Sequence, residues 1–315
     1  MISRRLIRIK AMQTYYSFLQ DSNSQNLNSL QRELEHNIKQ SYALFIQLHC
    51  LLINISDYAS ERIEIAKNKH IKSEADLNPN TKFINNIIIN NLHKADLIEK
   101  ALRDKTFSWT ENPHFIKNLY SKIISSQYYI DYMNNDERSY KEDYDIINKI
   151  ITKTILVDPL INEIIEEHSI YWNDDLEFLA SNLIANLKKH NIKTIENYKL
   201  PPIFRNQEDE DFANKLIKTT ALHSSNYDKI IQQALEKWEL ERIALLDRVL
   251  LHLALAEIME FPNLPVKVSI NEYIEISKFY STSKSSVFIN GVLDKIYLEL
   301  KNLGKLNKSG LGLVE

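Results

Sequence analysis

Three arginines near the amino terminus, Arg4, Arg5 and Arg8, can bind phosphate because a planar guanidinium fork matches two phosphate oxygens. Residues 1–20 contain no acidic side chain, and Lys10 adds a fourth positive charge. Cations at the start of a helix oppose the helix dipole, so this cluster brings no local structural benefit. Free backbone NH groups at a helix start would add to an anion site. RNA or DNA binding is one interpretation, and a solvated basic helix or an organelle transit peptide is the other.

Two further side chains could serve a binding surface. Asp247 lies beside an apolar stripe formed by Ile243, Leu250 and Leu251, where an unpaired carboxylate would be costly. Its partner is either an internal Arg or Lys, or a basic group on a binding protein. Phe288 is either a core residue or a platform on which an unpaired base stacks.

Gly291 interrupts an apolar helical pattern that runs from Val287 to Leu300, and it is the first glycine of the chain. Glycine inside a helix costs about 1 kcal/mol relative to alanine. This cost predicts a close approach, either by another helix backbone or by a neighbour that meets Phe288 and Asn290 at short range.

Sequence composition argues against several classes of enzyme. The chain has four glycines, three of them in the last twelve residues, so neither a P-loop nor a dinucleotide-binding loop is present. A single cysteine, Cys50, allows no internal disulfide and no thiolate metal cluster. The nine histidines include no H-E-x-x-H pattern, and G-x-S-x-G is absent. We therefore expect no catalytic activity, no cofactor and no metal.

Hydrophobic periodicity predicts an all-α fold. Residues 4–20 repeat apolar side chains at helical spacing, and further helical patterns fill the chain up to residue 190. Carboxyl-terminal helices are predicted over 208–222, 226–237, 240–260, 267–280 and 284–302. The 240–260 segment is apolar around most of its circumference, which predicts a central helix. No apolar run is long enough to cross a membrane and no secretory signal is evident, so we expect a cytoplasmic protein.

The expected domain organisation follows from the prolines and loops. Two adjacent prolines in LPPIFRN, residues 200–206, predict a stiff connector. The remaining ranges are an amino-terminal helix at 1–20, an inserted helical region at 21–199, a compact bundle at 207–302 and a flexible tail at 303–315.

Two local features are interpreted as helix starts. Four carboxylates at 208–211 would complement the dipole of the helix that they begin. Ser269 and Glu272 have the S-x-x-E spacing of a capping box.

Four segments together resemble the NusB family. They are RRLIRIKAMQTYYS (4–17), LERIALLDRVLLHLALAEI (240–258), PVKVSINEYIEISK (265–278) and VFINGVLDKI (287–296). The resemblance covers roughly a third of the chain, in two pieces separated by the long middle section. The total length resembles the long form found in the Bacteroidetes group.

The resemblance implies an all-α protein of two small helical bundles that is not an enzyme. It implies binding to the single-stranded boxA element of nascent ribosomal RNA transcripts, jointly with the small-subunit ribosomal protein NusE. Within an antitermination complex, this binding lets RNA polymerase pass terminators. A membrane partner is not implied.

Individual roles carry over by position. The residues that fall on the RNA-facing side of the family are Arg4, Arg5, Arg8, Phe288 and Lys267, the last as a phosphate contact. Tyr16 and Asp247 fall on a tyrosine and an acidic position of the side that faces NusE.

The chain also departs from the family pattern. Leu6 and Ile7 interrupt the basic run, Ser281 stands where a glycine is usual, and Lys284 replaces an acid. Two alternatives therefore remain. One is a helical scaffold that binds proteins and has lost RNA binding. The other is an rRNA cytosine methyltransferase, which the missing glycine-rich cofactor loop and nucleophilic cysteine disfavour.

Overall fold

The computed structural model of the chain describes residues 2–21, 26–104, 106–235 and 239–314. The predicted domains and the predicted helix 226–237 also contain a few residues outside these ranges, namely Met1, 22–25, Lys105, 236–238 and Glu315. Throughout the described ranges the secondary structure is helical, without a β-strand. The all-α prediction is confirmed.

Fifteen α-helices are found in the described residues. They are α1 (Arg4–Gln20), α2 (Leu27–Lys67), α3 (Glu74–Leu77), α4 (Ile87–Leu92), α5 (Asp96–Arg103), α6 (Pro113–Ile124), α7 (Gln127–Asn134), α8 (Tyr140–Ile150), α9 (Pro159–His168), α10 (Leu176–Leu187), α11 (Gln207–Leu222), α12 (Ser224–Leu235), α13 (Leu245–Glu260), α14 (Val266–Tyr280) and α15 (Ser285–Asn302).

The chain divides into two compact units. One unit contains Met1–Ile38 and Ile203–Glu315, and the other contains Lys39–Pro202. The later division falls inside the predicted connector 200–206. The earlier one falls within α2, although the insertion was expected to start at residue 21. None of the helices in the described ranges is long and apolar enough to span a membrane.

The Lys39–Pro202 unit has its own core, and some of its buried polar side chains hydrogen-bond to one another or to the backbone of the same unit. Ser41 Oγ donates to Asp175 Oδ2 over 2.6 Å. His49 lies with its Nδ1 2.8 Å from the Phe45 carbonyl oxygen and its Nε2 2.8 Å from Tyr198 Oη. Burial lowers the pKa of His49 to about 4, so this histidine is a neutral core residue.

In the other unit, α13 is the central helix that its apolar sequence predicts. Its buried side chains occur on all sides, including Val249, Leu251, Leu253 and Leu255. Helices α1, α11, α12, α14 and α15 pack against it. The helix ends at Glu260, before Pro262 and Pro265, which cannot continue it. Each of these five helices turns one face toward α13, and its opposite face is left at the surface of the unit.

Candidate nucleic-acid interface

Arg8 forms a buried ion pair with Glu257 of α13. Its Nε and Nη2 donate to the two carboxylate oxygens over 2.8 Å and 2.6 Å, and its side chain is 4% exposed. Burial alone would lower the pKa of Arg8, but the hydrogen bonds and charge of Glu257 outweigh it and raise the pKa. Ser269 and Tyr273 also donate to this carboxylate, over 2.7 Å and 3.1 Å. Arg8 is therefore a buried structural residue. Its predicted role as an RNA contact is wrong.

Arg4 and Arg5 also pair with carboxylates, but nearer the surface. Arg4 donates to Glu208 over 2.7 Å and to Asp209 over 2.8 Å. The acidic residues at the start of α11 thus form ion pairs with α1, in addition to complementing the dipole of α11. Arg5 donates with Nε and Nη2 to Glu272 of α14, over 2.9 Å and 2.7 Å, and its side chain remains 53% exposed.

These pairs explain why three cations are tolerated at the start of α1. Each guanidinium is neutralised by a carboxylate of α11, α13 or α14, so the unfavourable dipole is offset by tertiary contacts. Leu6 and Ile7, which interrupt the basic run, are buried core residues. The sequence R-R-L-I-R therefore alternates between anchoring by charge and anchoring by apolar burial.

Asp247 is a buried internal acceptor. Ser281 Oγ donates to its Oδ1 over 2.6 Å, and Ser285 Oγ donates to its Oδ2 over 2.8 Å. The partner predicted for it was an internal Arg or Lys, or a basic group of NusE, and both alternatives are wrong. A carboxylate with both oxygens bonded and 6% exposure cannot serve as a contact for a partner protein.

Those two bonds hold the turn between α14 and α15. Ser281 stands where the family usually has glycine, and glycine has no side chain with which to make this contact with Asp247. The turn carries two aromatic side chains at its ends. Phe288 is half-buried in the first turn of α15, and Phe279, at the end of α14, is 83% exposed. Asp247 therefore supports an aromatic surface from inside.

Two predicted contact residues lie at the surface of the same unit. Lys267 is exposed in the first turn of α14, and Tyr16 is half-buried on α1. Glu272 of α14 connects this helix to Arg5 of α1. The Arg5–Glu272 ion pair thus connects α1 to α14, the helix that carries Lys267. Arg8 is buried below this surface.

The sequence profile of the NusB family matches residues 175–298. Transcription antitermination protein NusB of Salinibacter ruber is 43% identical over 113 residues, which are 36% of this chain and 71% of that protein. The chain belongs to the NusB family.

Other NusB proteins match over a similar share of this chain. That of Chloroherpeton thalassium is 46% identical over 34% of this chain and 50% of its own length. A solved structure of T. maritima NusB is 32% identical over 36% of this chain and 78% of its own, with a TM-score of 0.29. The profile match does not extend to α1, so the arginine cluster is assigned from the amino-terminal motif alone.

Gly291 lies within the NusB-like motif, and the close approach predicted there is not observed. A Cβ placed on it would meet nothing within 4 Å, and both Asn290 and Gly291 are exposed. No helix of this chain within the described ranges approaches the glycine closely. The close approach predicted at Gly291 is therefore wrong for the isolated chain.

Gly291→Ala is expected to raise the free energy of unfolding by about 0.5–1 kcal/mol, since alanine suits an exposed helix interior better than glycine. Urea denaturation followed by circular dichroism measures this change. A lower stability of the alanine variant would show that the position is sterically restricted after all.

Sequence reasoning missed a second buried cluster that holds α1. Tyr15 Oη lies 3.1 Å from His252 Nδ1, and His252 Nε2 lies 2.8 Å from Asp228, which also accepts from Arg248 over 2.8 Å. Burial alone would raise the pKa of Asp228, but these hydrogen bonds lower it to about 2. No spacing pattern could reveal the cluster because its members come from three helices.

The carboxylates that pair with α1 were also missed in this NusB-like chain. Glu272 was assigned to a capping box with Ser269, and that assignment is wrong. Helix α14 begins at Val266 after Pro265, Ser269 Oγ donates to Glu257, and Glu272 accepts from Arg5. The signal available in the sequence was a surplus of acidic over basic residues on α11 and α13, which matched the surplus of arginines on α1.

Proposed function

We propose that this protein is a transcription antitermination factor that binds boxA-type single-stranded RNA together with the ribosomal protein NusE, within an RNA polymerase antitermination complex. The observation that carries the proposal is the 43% identity to a protein named transcription antitermination protein NusB, over 71% of its length. The proposed role is one of binding, without catalysis or a cofactor.

Exposed cations and aromatic rings on α1, α14 and α15 support the RNA part of the proposal. Arg5, Lys267 and Lys284 are cations at the surface of these helices, and Phe279 and Phe288 offer rings for base stacking. A cationic groove combined with aromatic platforms is the usual chemistry for single-stranded nucleic acid. Arg4 supplies a further cation, although it shares its charge with Glu208 and Asp209.

The energetics of the ion pairs decide which arginine can contact RNA. An exposed pair such as Arg5–Glu272 contributes about 0–1 kcal/mol, so exchanging the carboxylate for an RNA phosphate costs little. Breaking the buried Arg8–Glu257 pair would cost about 3–5 kcal/mol. We therefore assign the direct phosphate contact to Arg5 and a positioning role to Arg8.

For NusE, Tyr16 remains the proposed contact, since its side chain is half-buried on α1 and an aromatic ring suits the centre of a protein interface. Asp247 is not part of the proposed NusE surface, because its side chain is buried. Its place in the proposal is the support of the turn between Phe279 and Phe288.

One observation favours the second candidate, a helical scaffold that has lost RNA binding. All three arginines of α1 already have carboxylate partners inside the protein, which reduces the positive field that an RNA strand would meet. On this alternative, α1 anchors the bundle and only the protein partner is bound.

Arg5→Glu is expected to weaken binding of a boxA-type RNA about tenfold, because it removes one charge-assisted contact and adds a repulsive charge. Fluorescence anisotropy with a labelled oligonucleotide and NusE measures the affinity. Lys218→Glu is the matched control, since Lys218 is exposed on α11 and its replacement changes the net charge equally. Equal affinities of the two variants would favour the scaffold.

A further inference from the structure

The tail after α15 folds back on the loop between α13 and α14. Lys308 Nζ donates to the Phe261 carbonyl oxygen over 2.9 Å, and the Ser309 amide donates to the Pro262 carbonyl oxygen over 3.1 Å. A Cβ on Gly312 would lie 1.9 Å from that same Pro262 oxygen. Only glycine fits there, so residues 308–312 of the tail, which was expected to be flexible over 303–315, pack at a defined place on this loop.

The docked tail borders an open cavity of about 200 Å³ against α14 and α15. Lys267, Lys301 and Lys308 line it, together with Tyr297 and apolar side chains of the tail. None of the lining residues within the described chain is acidic. Three cations thus border a small concave space that apolar side chains also line.

Lys308 is the member of this group that the tail itself supplies. Burial lowers the pKa of Lys308 to about 8, and the charge of Glu257 offsets only part of this effect. An anion in the cavity would offset it further, because an opposite charge within about 4–6 Å favours the charged form.

From this geometry we infer that the tail cavity binds a phosphate group. Its volume is below the roughly 300–1,000 Å³ of pockets that hold drug-sized ligands, so it suits one compact anion better than a whole nucleotide. Lysine is a frequent phosphate ligand as a point charge with three donors. The phosphate is either free in solution or part of an RNA backbone, and Lys267 lies at the edge that an RNA strand on α14 would reach.

The test uses two variants of the full chain that alter the cavity by different means. Lys301→Gln with Lys308→Gln removes two charges, and Gly312→Val pushes the tail from Pro262 while keeping all three lysines. Lys218→Gln with Lys229→Gln removes two exposed charges elsewhere and is the control. Calorimetric titration with inorganic phosphate at constant ionic strength is one arm, and anisotropy with a 12-nucleotide RNA is the other.

Saturable phosphate binding that falls about tenfold or more in both cavity variants, but not in the control, identifies free phosphate as the ligand. A loss of RNA affinity confined to the cavity variants, without binding of free phosphate, identifies the RNA backbone. Binding of neither ligand by the unaltered protein, or binding that both cavity variants retain, would overturn the inference. Arg5→Glu separates the two proposals, since it should weaken RNA and leave inorganic phosphate binding unchanged.

Discussion

Arg8→Met is expected to lower the free energy of unfolding by about 3–5 kcal/mol, because Glu257 would be left buried without its counter-charge. Methionine keeps much of the length of the apolar stem, so the loss reports the ion pair more than packing. Ser269 and Tyr273 would still donate to Glu257, but two neutral donors do not replace a guanidinium. Urea denaturation followed by circular dichroism gives the value.

Arg5→Met is the matched control, on the same helix and with the same chemical change. The side chain of Arg5 is 53% exposed, and its partner Glu272, which is 20% exposed, keeps a second contact with Arg8 over 3.4 Å, so we expect a loss below about 1 kcal/mol. Similar losses in the two variants would contradict the distinction between a buried positioning arginine and an exposed contact arginine.

Asp247→Ala is expected to destabilise the protein by about 3 kcal/mol, since a hydrogen bond to a charged group contributes about 1.5–3 kcal/mol and two serines lose their acceptor. The turn between α14 and α15 should loosen as a result. RNA affinity should then fall with it, because Phe279 and Phe288 lie at the ends of that turn.

Asp294→Ala on the exposed side of α15 is the control, and a change within about 0.5 kcal/mol is expected for a surface site. Asp247→Lys would be an unsuitable test of NusE binding, because Asp247 is buried. A buried lysine at this position should unfold the turn, so a loss of NusE binding would not identify a partner surface. If Asp247→Ala kept full stability and lost NusE alone, the partner role would be restored.

Local pattern predicted much of the fold. Helix α1 has the predicted bounds, and α14 and α15 begin within one residue of prediction, because apolar periodicity, Pro265 and the short serine-rich turn are all local signals. Helix α13 begins at Leu245 instead of residue 240, after a single 3-10 turn at Leu240–Arg242. Burial of α13 followed from its apolar circumference.

The site was harder to predict because its contacts are long-range. Arg8 and Glu257 are separated by 249 residues in sequence, and no periodicity relates them. The arginine cluster opposes the helix dipole of α1, as the sequence indicated. The carboxylates that offset this unfavourable interaction belong to other helices. In the same way, Gly291 is exposed because no other described part of the chain packs against it. Such a tertiary contact, or its lack, cannot be read from a single sequence.

The most direct test of the account is the salt dependence of boxA-type RNA binding to the intact protein in the presence of NusE. Three to five phosphate contacts on a single strand predict a slope of log affinity against log salt of roughly −2 to −3.5, and Arg5→Glu should make that slope shallower by about 0.7. A slope near zero, or a slope unchanged by Arg5→Glu, would contradict the assignment of an RNA surface to α1, α14 and α15.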